Sequence, residues 1–251
     1  MKRVVLLGAS NVTLAFPLII NQLRGLWDHP LEILAAHGHG RSYGRRSRVM
    51  FRELPGIVES GLWEAFDAAD PAAAGTSALV TDVGNDLLYM SEVEQVMGWV
   101  EACLKRLSEQ GAEITLTLPP IATISRLSSP HYYLMRSLLF PRCRVSSTEM
   151  RQRAEQLEQR LREVGEKYGA RLIAPAESWY GIDPIHIRRR RRGQAWREIL
   201  SAWSGQTAAS RQPVAVPPVW KLRPQQRRIF GRNQTEPQPM WRDDGVALSL
   251  Y

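Results

Sequence analysis

The chain has 251 residues, of which 44% are hydrophobic and eight are tryptophan. This composition is typical of a folded protein with a sizeable core. The formal net charge of +8 is unevenly distributed: residues 1–187 carry 20 Lys and Arg against 21 Asp and Glu, whereas residues 188–251 carry 13 against 4. The body of the chain is therefore close to neutral, and any attraction for an acidic partner belongs to the last quarter.

The sequence argues against a membrane-spanning or disulfide-stabilised protein. No stretch approaches the roughly 20 apolar residues that a transmembrane helix needs. The segment Met1-Lys2-Arg3 and the apolar run 4–7 imitate a signal peptide, but the run is too short for one. Cys103 and Cys143 are too few for a disulfide framework. We therefore expect a soluble, cytoplasmic protein with reduced cysteines.

Short apolar runs alternate with amphipathic segments along the chain. The apolar runs predict buried strands at residues 3–7, 31–36, 78–83, 113–118 and 171–175. The periodic segments predict helices at residues 12–20, 56–68, 92–109, 147–167 and 193–203. The Ser- and Pro-rich stretch from 119 to about 131 predicts a loop. This alternation predicts an α/β fold: a three-layer α/β/α sandwich around a five-stranded, parallel, doubly wound (flavodoxin-like) sheet.

The composition changes near residue 205. Gln, Pro and Arg become frequent, and the prolines prevent long regular elements. Apolar side chains such as Trp220, Phe230 and Trp241 argue against a fully solvated tail. The sequence therefore predicts two parts. Residues 1–204 form the α/β domain, and residues 205–251 form an irregular, Pro- and Arg-rich C-terminal arm that packs on the body or on a neighbouring subunit.

Polar residues follow four of the five predicted strands. Ser10 follows the first strand, a Gly-rich segment at 38–40 follows the second, and Asn85 follows the third. Asp183 and His186 come after the fifth. Because the carboxyl ends of parallel strands meet at one edge of a sheet, where ligands bind, we expect these residues to lie close together.

Each of these residues also has a purely structural interpretation. Ser10 or Asn11 can cap the first helix, and Asn85 can form an Asx turn. Asp183 can begin the last helix, with His186 as an exposed neighbour. What favours a catalytic interpretation is the convergence of all four segments on one edge.

Four short blocks resemble those of a known family. They are Gly8-Ala9-Ser10-Asn11, Gly40-Arg41-Ser42, Gly84-Asn85-Asp86 and Asp183-Pro184-Ile185-His186. In this order they resemble the SGNH, or GDSL-type, serine esterases and acyl hydrolases, which are named for a Ser, a Gly, an Asn and a His in separate blocks. The resemblance covers residues 4–203. The sequence departs from the family pattern where Ala9 replaces an acidic residue, Val83 replaces a glycine and Ile187 replaces a common proline.

The resemblance implies a serine hydrolase that cleaves a carboxylic ester, of an acyl or acetyl group, through an acyl-enzyme. Ser10 would be the nucleophile, His186 the general base and acid, and Asp183 the residue that orients the imidazole. Gly40 and Asn85 would complete an oxyanion hole with the Ser10 amide, and Gly38 is the alternative to Gly40. Such a site needs no cofactor and no metal.

Other small-molecule sites are disfavoured. His37 and His39 alternate on the Gly-rich loop, but they lack the neighbouring cysteine or carboxylate pairs that a metal site needs. The segment after the first strand lacks the G-x-G-x-x-G spacing, and no G-K-[ST] follows a strand, so nucleotide phosphate binding is disfavoured. Trp179 and Tyr180 either wall a pocket beside the catalytic loop or belong to the core.

Five consecutive arginines follow the histidine block. They precede the last predicted helix, where positive charge opposes the helix dipole, and this mismatch favours an anionic surface or ligand as a partner. Specific nucleic-acid binding is disfavoured, because the aromatic residues nearby match no binding-module spacing.

Two alternatives to the hydrolase stay open: a non-catalytic protein that binds an anionic partner through its basic last quarter, and an acyltransferase using the same site. The oligomeric state also stays open. The arginine run comprises Arg188, Arg189, Arg190, Arg191 and Arg192.

Overall fold

The computed structural model of the protein describes residues 1–70, 72–203, 213–243 and 245–251. The predicted boundary between residues 204 and 205 lies outside these residues. Among the described residues, no helix is long and apolar enough to cross a lipid bilayer. The α-helices are α1 Ser10–Arg24, α2 Leu62–Ala68, α3 Asn85–Leu88, α4 Val93–Glu109, α5 Ile121–Ser125, α6 Ser129–Leu139, α7 Ser147–Lys167 and α8 Arg192–Leu200.

The strands divide between two sheets. The main sheet has seven strands among the described residues, in the order β10-β11-β2-β1-β5-β6-β7, and the second sheet has the order β3-β4-β8-β9. The strands are β1 Lys2–Leu7, β2 Leu31–Ala36, β3 Ser47–Val49, β4 Arg52–Leu54, β5 Thr76–Val80, β6 Glu113–Thr117, β7 Arg171–Ile173, β8 Gln226–Ile229, β9 Arg232–Thr235, β10 Trp241–Asp243 and β11 Val246–Leu250.

The five predicted strands form the centre and one end of the main sheet. They are β1, β2, β5, β6 and β7, and their neighbouring pairs are all parallel. Their order β2-β1-β5-β6-β7 is the predicted flavodoxin-like order. The loops that follow these strands therefore meet at a single edge of the sheet, which is where the candidate site lies.

Helices cover both faces of the main sheet. The side chains of Val5 and Leu7 pack in one apolar cluster with α2, α4 and α7. Val4 and Leu6, which point to the opposite face, pack with α1 and α8. Because β1 is buried on both faces, its sequence is a continuous apolar run without polar alternation. The predicted three-layer sandwich is confirmed.

The main sheet has more strands than the five predicted, because the C-terminal part contributes two. The sequence predicts an irregular arm, but the described residues after 213 include four strands. β11 lies parallel to β2, with Val246 opposite Leu31 and Leu250 opposite Ala35. β10 then pairs antiparallel with β11 at the edge. Strands β10 and β11 of the arm are therefore part of the main sheet.

The prediction of a loop at residues 119–131 is wrong. Helix α5 begins directly after Pro119 and Pro120, and α6 begins at Ser129 with Pro130 in its first turn. Proline is favourable in a first turn, because the N–H groups there have no partner within the helix. The prolines of this segment therefore start helices, and these helices lie beside the candidate site.

The second sheet joins the Gly-rich loop after β2 to the C-terminal part of the chain. β3 and β4 form a hairpin within the loop region, with Ser47 opposite Leu54. β4 then pairs antiparallel with β8, where Arg52 lies opposite Ile229. Residues 38–45 thus connect β2 of the main sheet to β3 of the second sheet. Both sheets also contain strands from the C-terminal part of the chain.

Candidate active site

Ser10 is the first residue of α1, directly after the tight connection from β1. The N-cap residue is Ala9, so neither Ser10 nor Asn11 caps the helix through its own side chain. Ser10 is buried, and its Oγ lies 2.8 Å from Nε2 of His186. The hydroxyl is therefore in contact with an imidazole from the other end of the domain.

His186 lies between β7 and α8, and its ring is held by Asp183. Nδ1 of His186 lies 2.6 Å from Oδ2 of Asp183. The other carboxylate oxygen of Asp183 accepts hydrogen bonds from the backbone N–H groups of Ile185 and His186, each at 3.1 Å. Asp183 does not begin the last helix, since α8 starts at Arg192.

The environment of Asp183 favours its ionised form. Burial alone raises the pKa of this carboxyl. The hydrogen bonds from the His186 ring and from the backbone N–H groups of Ile185 and His186, together with the charge of His186, outweigh burial, so the pKa lies below its ordinary value. An ionised Asp183 can orient the imidazole and stabilise its protonated form.

Asn11 connects the serine turn to the histidine loop. Its Nδ2 donates a hydrogen bond to the carbonyl oxygen of Ile185 at 2.9 Å. Its Oδ1 accepts one from the backbone N–H of Ile187, also at 2.9 Å. These two bonds hold the residues immediately before and after His186, so one side chain sets the position of the imidazole relative to Ser10.

Asp82 holds the other end of the same connection. Its Oδ2 accepts hydrogen bonds from the backbone N–H groups of Ala9 at 2.9 Å and Asn11 at 3.0 Å, and its Oδ1 accepts one from Asn11 Nδ2 at 2.8 Å. A carboxylate from another strand end thus caps α1, where negative charge is stabilised by the helix dipole. Asp82 has a φ of 60°, a conformation that aspartate tolerates better than most residues. We call Ser10, Asn11, Asp82 and residues 183–187 the serine side of the site.

The predicted oxyanion donors lie on the loops after β2 and β5. Asn85 lines the same cavity as Ser10, whereas Gly40 and Gly38 are not among the residues that line it. Nδ2 of Asn85 lies 3.5 Å from the carbonyl oxygen of Arg41, which is too long for a strong hydrogen bond. The Asn85 amide can therefore bind another acceptor. The roles of Gly40 and Asn85 as oxyanion donors stay predictions.

Gly40 occupies a conformation that glycine adopts most easily. Its φ is 61°, and a Cβ at this position would lie 2.9 Å from the Tyr89 hydroxyl and 3.0 Å from Cγ2 of Val49. The Tyr89 hydroxyl donates a hydrogen bond to the Gly40 carbonyl at 2.6 Å. This contact fixes the orientation of the peptide that follows Gly40.

A buried carboxyl, Asp86, anchors the loop that contains Gly40. It accepts hydrogen bonds from the Ser42 hydroxyl and from the Tyr43 backbone N–H, the latter at 2.9 Å. Burial raises the pKa of Asp86 to about 6, although these two hydrogen bonds and the charge of Arg45 lower it in part. We call residues 38–45, Asn85, Asp86 and Tyr89 the glycine side of the site.

Arg41 connects the glycine side to the C-terminal strand. Its guanidinium is fully buried and donates hydrogen bonds to the main-chain oxygens of Tyr251, Pro55 and His37. Burial, followed by the charge of Arg52, lowers the pKa of Arg41 to about 9. The loop and the residues that directly follow β4 and β11 therefore meet at a single side chain.

A cavity of about 140 Å³ adjoins the serine. Ser10, Asn11 and Asn85 line it, and most of the other lining side chains are apolar. Part of the wall comes from α5 and α6 and the residues around them. An apolar cavity at a serine hydroxyl is suited to an acyl chain. Its apolar lining includes Leu88, Ile124, Leu127, Met135 and Phe140.

The two histidines of the Gly-rich loop have different surroundings. Nδ1 of His37 lies 2.9 Å from the Thr13 hydroxyl, and its ring packs against Phe16. Burial, followed by the charges of Arg41, Arg52 and His39, lowers the pKa of His37 to about 3, so its ring is neutral. His39 is exposed.

Solved structures with this architecture share little sequence with the chain. Est24, a carbohydrate acetylesterase from Sinorhizobium meliloti, is 12% identical, with a TM-score of 0.55 over 79% of this chain and 96% of its own. An aryl esterase from M. smegmatis is 12% identical, with a TM-score of 0.53 over 81% of this chain and 100% of its own. A carbohydrate acetylesterase family member from S. meliloti is 13% identical, with a TM-score of 0.54 over 82% and 100%. No protein-family model matches the sequence, and neither does any curated protein.

The chain has the SGNH-hydrolase fold. This is the fold that the four sequence blocks implied. The similarity spans most of the chain at an identity too low to transfer any residue's role. For this SGNH-fold chain, the functional interpretation therefore rests on the geometry of its own residues.

Two residues of the SGNH-fold site are missed by sequence reasoning. From the sequence alone, Asn11 is interpreted only as a helix cap and Asp82 only as part of the end of a strand. Asp82 did carry a signal, since it is an acidic residue at the carboxyl end of a central strand, beside the Asn85 block. Asn11 carried none, because its contacts with Ile185 and Ile187 depend on how the two ends of the domain meet.

Proposed function

We propose that the protein is a serine hydrolase that cleaves carboxylic esters through an acyl-enzyme. The observation that carries this proposal is the continuous series of contacts from Ser10 Oγ to His186 Nε2 at 2.8 Å and from His186 Nδ1 to Asp183 Oδ2 at 2.6 Å. A serine hydroxyl becomes a useful nucleophile when a base lies within hydrogen-bond reach and a third group orients that base. The similarity of the fold to proteins named as esterases supports the substrate class.

The chemistry follows from these contacts. Ser10 Oγ attacks the ester carbonyl carbon while its proton passes to Nε2 of His186. The tetrahedral intermediate collapses, the bond to the alcohol oxygen breaks, and that oxygen takes the proton from His186. A water molecule then attacks the acyl-enzyme and gives its proton to His186, which returns it to Ser10 as the acid leaves. Asp183 keeps the imidazole oriented throughout and stays ionised.

The oxyanion that develops in each step needs donors aimed at it. The backbone N–H groups of Ser10 and Gly40 and the side-chain amide of Asn85 are the proposed donors. One such donor is typically worth about 3 kcal/mol in the transition state. The apolar cavity beside Ser10 would hold the acyl group, and an alcohol in place of water would make the same site an acyltransferase.

Labelling with a fluorophosphonate tests this proposal, together with the hydrolysis of 4-nitrophenyl acetate. We expect one adduct, on Ser10, located by mass spectrometry. Ser10→Ala and His186→Ala should each lower kcat/KM by at least about 10³-fold, because the hydroxyl and the base act as a unit. His29→Ala is the matched control, since His29 is exposed on the loop before β2, and it should stay within twofold of the wild type.

Two outcomes would contradict the hydrolase. One is a folded wild-type protein that neither reacts with the probe nor hydrolyses the ester. The other is hydrolysis that survives Ser10→Ala, which would place the activity elsewhere. The first outcome would favour the non-catalytic binding protein instead. A cytoplasmic location is also a proposal, and fractionation of cells that express the full chain would test it.

A further inference from the structure

A groove lies on the histidine side of Ser10, and three arginines of the run line it. Its lining includes His186 and Asp183 together with Arg188, Arg189 and Arg192. The groove is therefore next to the base that would protonate the leaving alcohol. It shares Ile187 with the apolar cavity, whereas Ser10 and Asn85 line only the cavity.

The structure holds two of these arginines in place by contacts with the backbone. The guanidinium of Arg192 donates hydrogen bonds to the carbonyl oxygens of Ile187 at 3.2 Å and Leu14 at 3.0 Å. The side chain of Arg188 crosses Gly181, where a Cβ would lie 2.7 Å from the Arg188 Nε. Glycine at position 181 thus leaves room for Arg188 at the groove.

Among the residues that the structure describes, no carboxylate neutralises the positive charge of the run. Within the described parts of the chain, no ion pair joins residues 188–192 to a carboxylate. Asp183, the acidic residue of the groove, already binds the His186 ring and two backbone N–H groups. The run also precedes α8, where cations oppose the helix dipole. An anion in the groove would relieve both unfavourable effects.

The pKa of His39 is affected by positive charges around the same site. Burial is the largest effect that lowers the pKa of His39, followed by the positive charges of Arg52, His186 and Arg192. Arg52 belongs to β4, and Arg192 begins α8, so cations approach the site from two elements. The entrance to the histidine side therefore attracts anions.

We propose that the substrate is an ester whose alcohol part carries an anionic group, such as a carboxylate, sulfate or phosphate, and that Arg188, Arg189 and Arg192 bind this group. The proposal rests on the proposed hydrolase function. It commits to the alcohol part because His186 must reach the leaving oxygen, which places the alcohol at the groove and the acyl group at the apolar cavity. Guanidinium groups suit such anions, since they donate paired hydrogen bonds.

Three model esters separate the alcohol part from the acyl part. They are neutral 4-nitrophenyl acetate, 3-carboxy-4-nitrophenyl acetate with the anion on the alcohol part, and mono-4-nitrophenyl succinate with the anion on the acyl part. The measured quantity is the selectivity, which is kcat/KM for each anionic ester divided by that for the neutral one. We expect the wild type to prefer the ester with the anionic alcohol part.

The arginine run supplies its own matched control. Arg188→Gln/Arg189→Gln removes two charges that line the groove, whereas Arg190→Gln/Arg191→Gln removes two charges of the same run that lie outside the groove lining. The first pair should lower the selectivity at least about tenfold, the loss expected for a charge-assisted hydrogen bond. The second pair should change it less than twofold. An equal loss in both variants would indicate a general field and overturn the proposal, as would selectivity for the succinate ester.

A binding measurement separates this proposal from the hydrolase. The full chain with Ser10→Ala is titrated by calorimetry with 5-hydroxy-2-nitrobenzoate, the alcohol released from the preferred ester. We expect binding that weakens at least tenfold when Arg188→Gln/Arg189→Gln is added, and less than twofold with Arg190→Gln/Arg191→Gln. That result without any esterase activity would retain the anion site and refute the hydrolase. Esterase activity without such binding would overturn the anion site alone.

Discussion

The serine side and the glycine side of the site are anchored to the same loop, after β5, but in different ways. On the serine side Asp82 caps α1, and the neutral amide of Asn11 holds the backbone on both sides of His186. On the glycine side a fully buried carboxyl, Asp86, holds the loop through Ser42 and Tyr43. On the serine side a neutral amide holds the histidine loop, whereas the anchor of the glycine side is a carboxyl that titrates near pH 6. Disturbing Asn11 should change the rate, and disturbing Asp86 should change how stability varies with pH.

Asn11→Asp should have the largest effect, because it breaks the serine side. The new carboxylate cannot donate to Ile185 and lies against Asp82, so the histidine loop shifts relative to Ser10. A displacement of about 1 Å at a reacting group can lower the rate about 100-fold. We expect this loss in kcat for 4-nitrophenyl acetate, with a much smaller change in KM and a shifted pH–rate profile.

Asn21→Asp is the control for this substitution. Asn21 is also on α1, and its amide bonds both the N–H and the carbonyl of Val214, so it makes the same kind of bridge away from the site. The control should keep kcat within about twofold. If Asn11→Asp lost activity only in proportion to its loss of folded protein, its role in positioning His186 would be refuted.

Asp86→Asn should remove a pH dependence from the glycine side. The pKa of Asp86 is raised by burial from its ordinary value of 3.8 to about 6, so the native carboxyl binds its proton more tightly than the unfolded chain does. Its contribution to stability is therefore full below pH 4 and is lost as the pH rises through 6. A shift of about two pKa units corresponds to about 3 kcal/mol.

Urea unfolding of wild type and variant between pH 4 and 7.5 measures this effect. As the pH rises from 4 to 7.5, the free energy of unfolding of Asp86→Asn minus that of the wild type should increase by about 2–3 kcal/mol, whatever this difference is at pH 4. The control is Asp67→Asn, at an exposed position on α2, for which the difference from the wild type should stay constant across this pH range. If the difference stayed constant for Asp86→Asn as well, burial would not raise the pKa of this carboxyl.

Gly40→Ala should have a smaller effect, also on the glycine side. A left-handed alanine costs about 1–2 kcal/mol, and its Cβ would crowd the Tyr89 hydroxyl and Val49. We expect kcat/KM to fall about tenfold, because the peptide at Gly40 would turn away from the proposed oxyanion position. At Gly169 φ is also 61°, but an added Cβ would have nothing within 4 Å. The Gly169→Ala variant therefore measures the backbone cost without the crowding. Equal activity in the two variants would remove Gly40 from the proposed site.

Tyr89→Phe should have the smallest effect. It removes the hydrogen bond to the Gly40 carbonyl and leaves the ring in place beside Phe140. The loss of one such bond is worth about 1 kcal/mol, which corresponds to at most about fivefold in kcat/KM. Activity unchanged within error would mean that the glycine side holds its shape without this contact.

Local patterns were sufficient to predict the central sheet and the residues at its edge. The apolar runs of β1, β2 and β5 and the regular spacing of α4 and α7 are signals that short stretches carry by themselves. Because the carboxyl ends of parallel strands meet at one edge of a sheet, the convergence of Ser10, Asn85 and His186 also followed from local predictions.

What the sequence did not reveal depends on distant partners. Residues 246–250 form a short run in a Pro- and Arg-rich region, and they become a strand by pairing with β2 and β10. Asn11 and Asp82 are ordinary polar residues until the strand ends and the histidine loop are brought together. The Ser- and Pro-rich stretch was misinterpreted although Pro130 is a known signal for a helix start.

The pairing of β11 with β2 bears on how the protein folds during synthesis. The ribosome produces β2 well before β11, so the β2 edge that β11 covers stays unpaired until β11 emerges. Such an edge favours pairing with other chains, and long-range strand pairing is slow. Since Arg41 in the site loop binds the main chain of Tyr251, the nascent protein would complete this contact of the candidate site only after β11 has been synthesised.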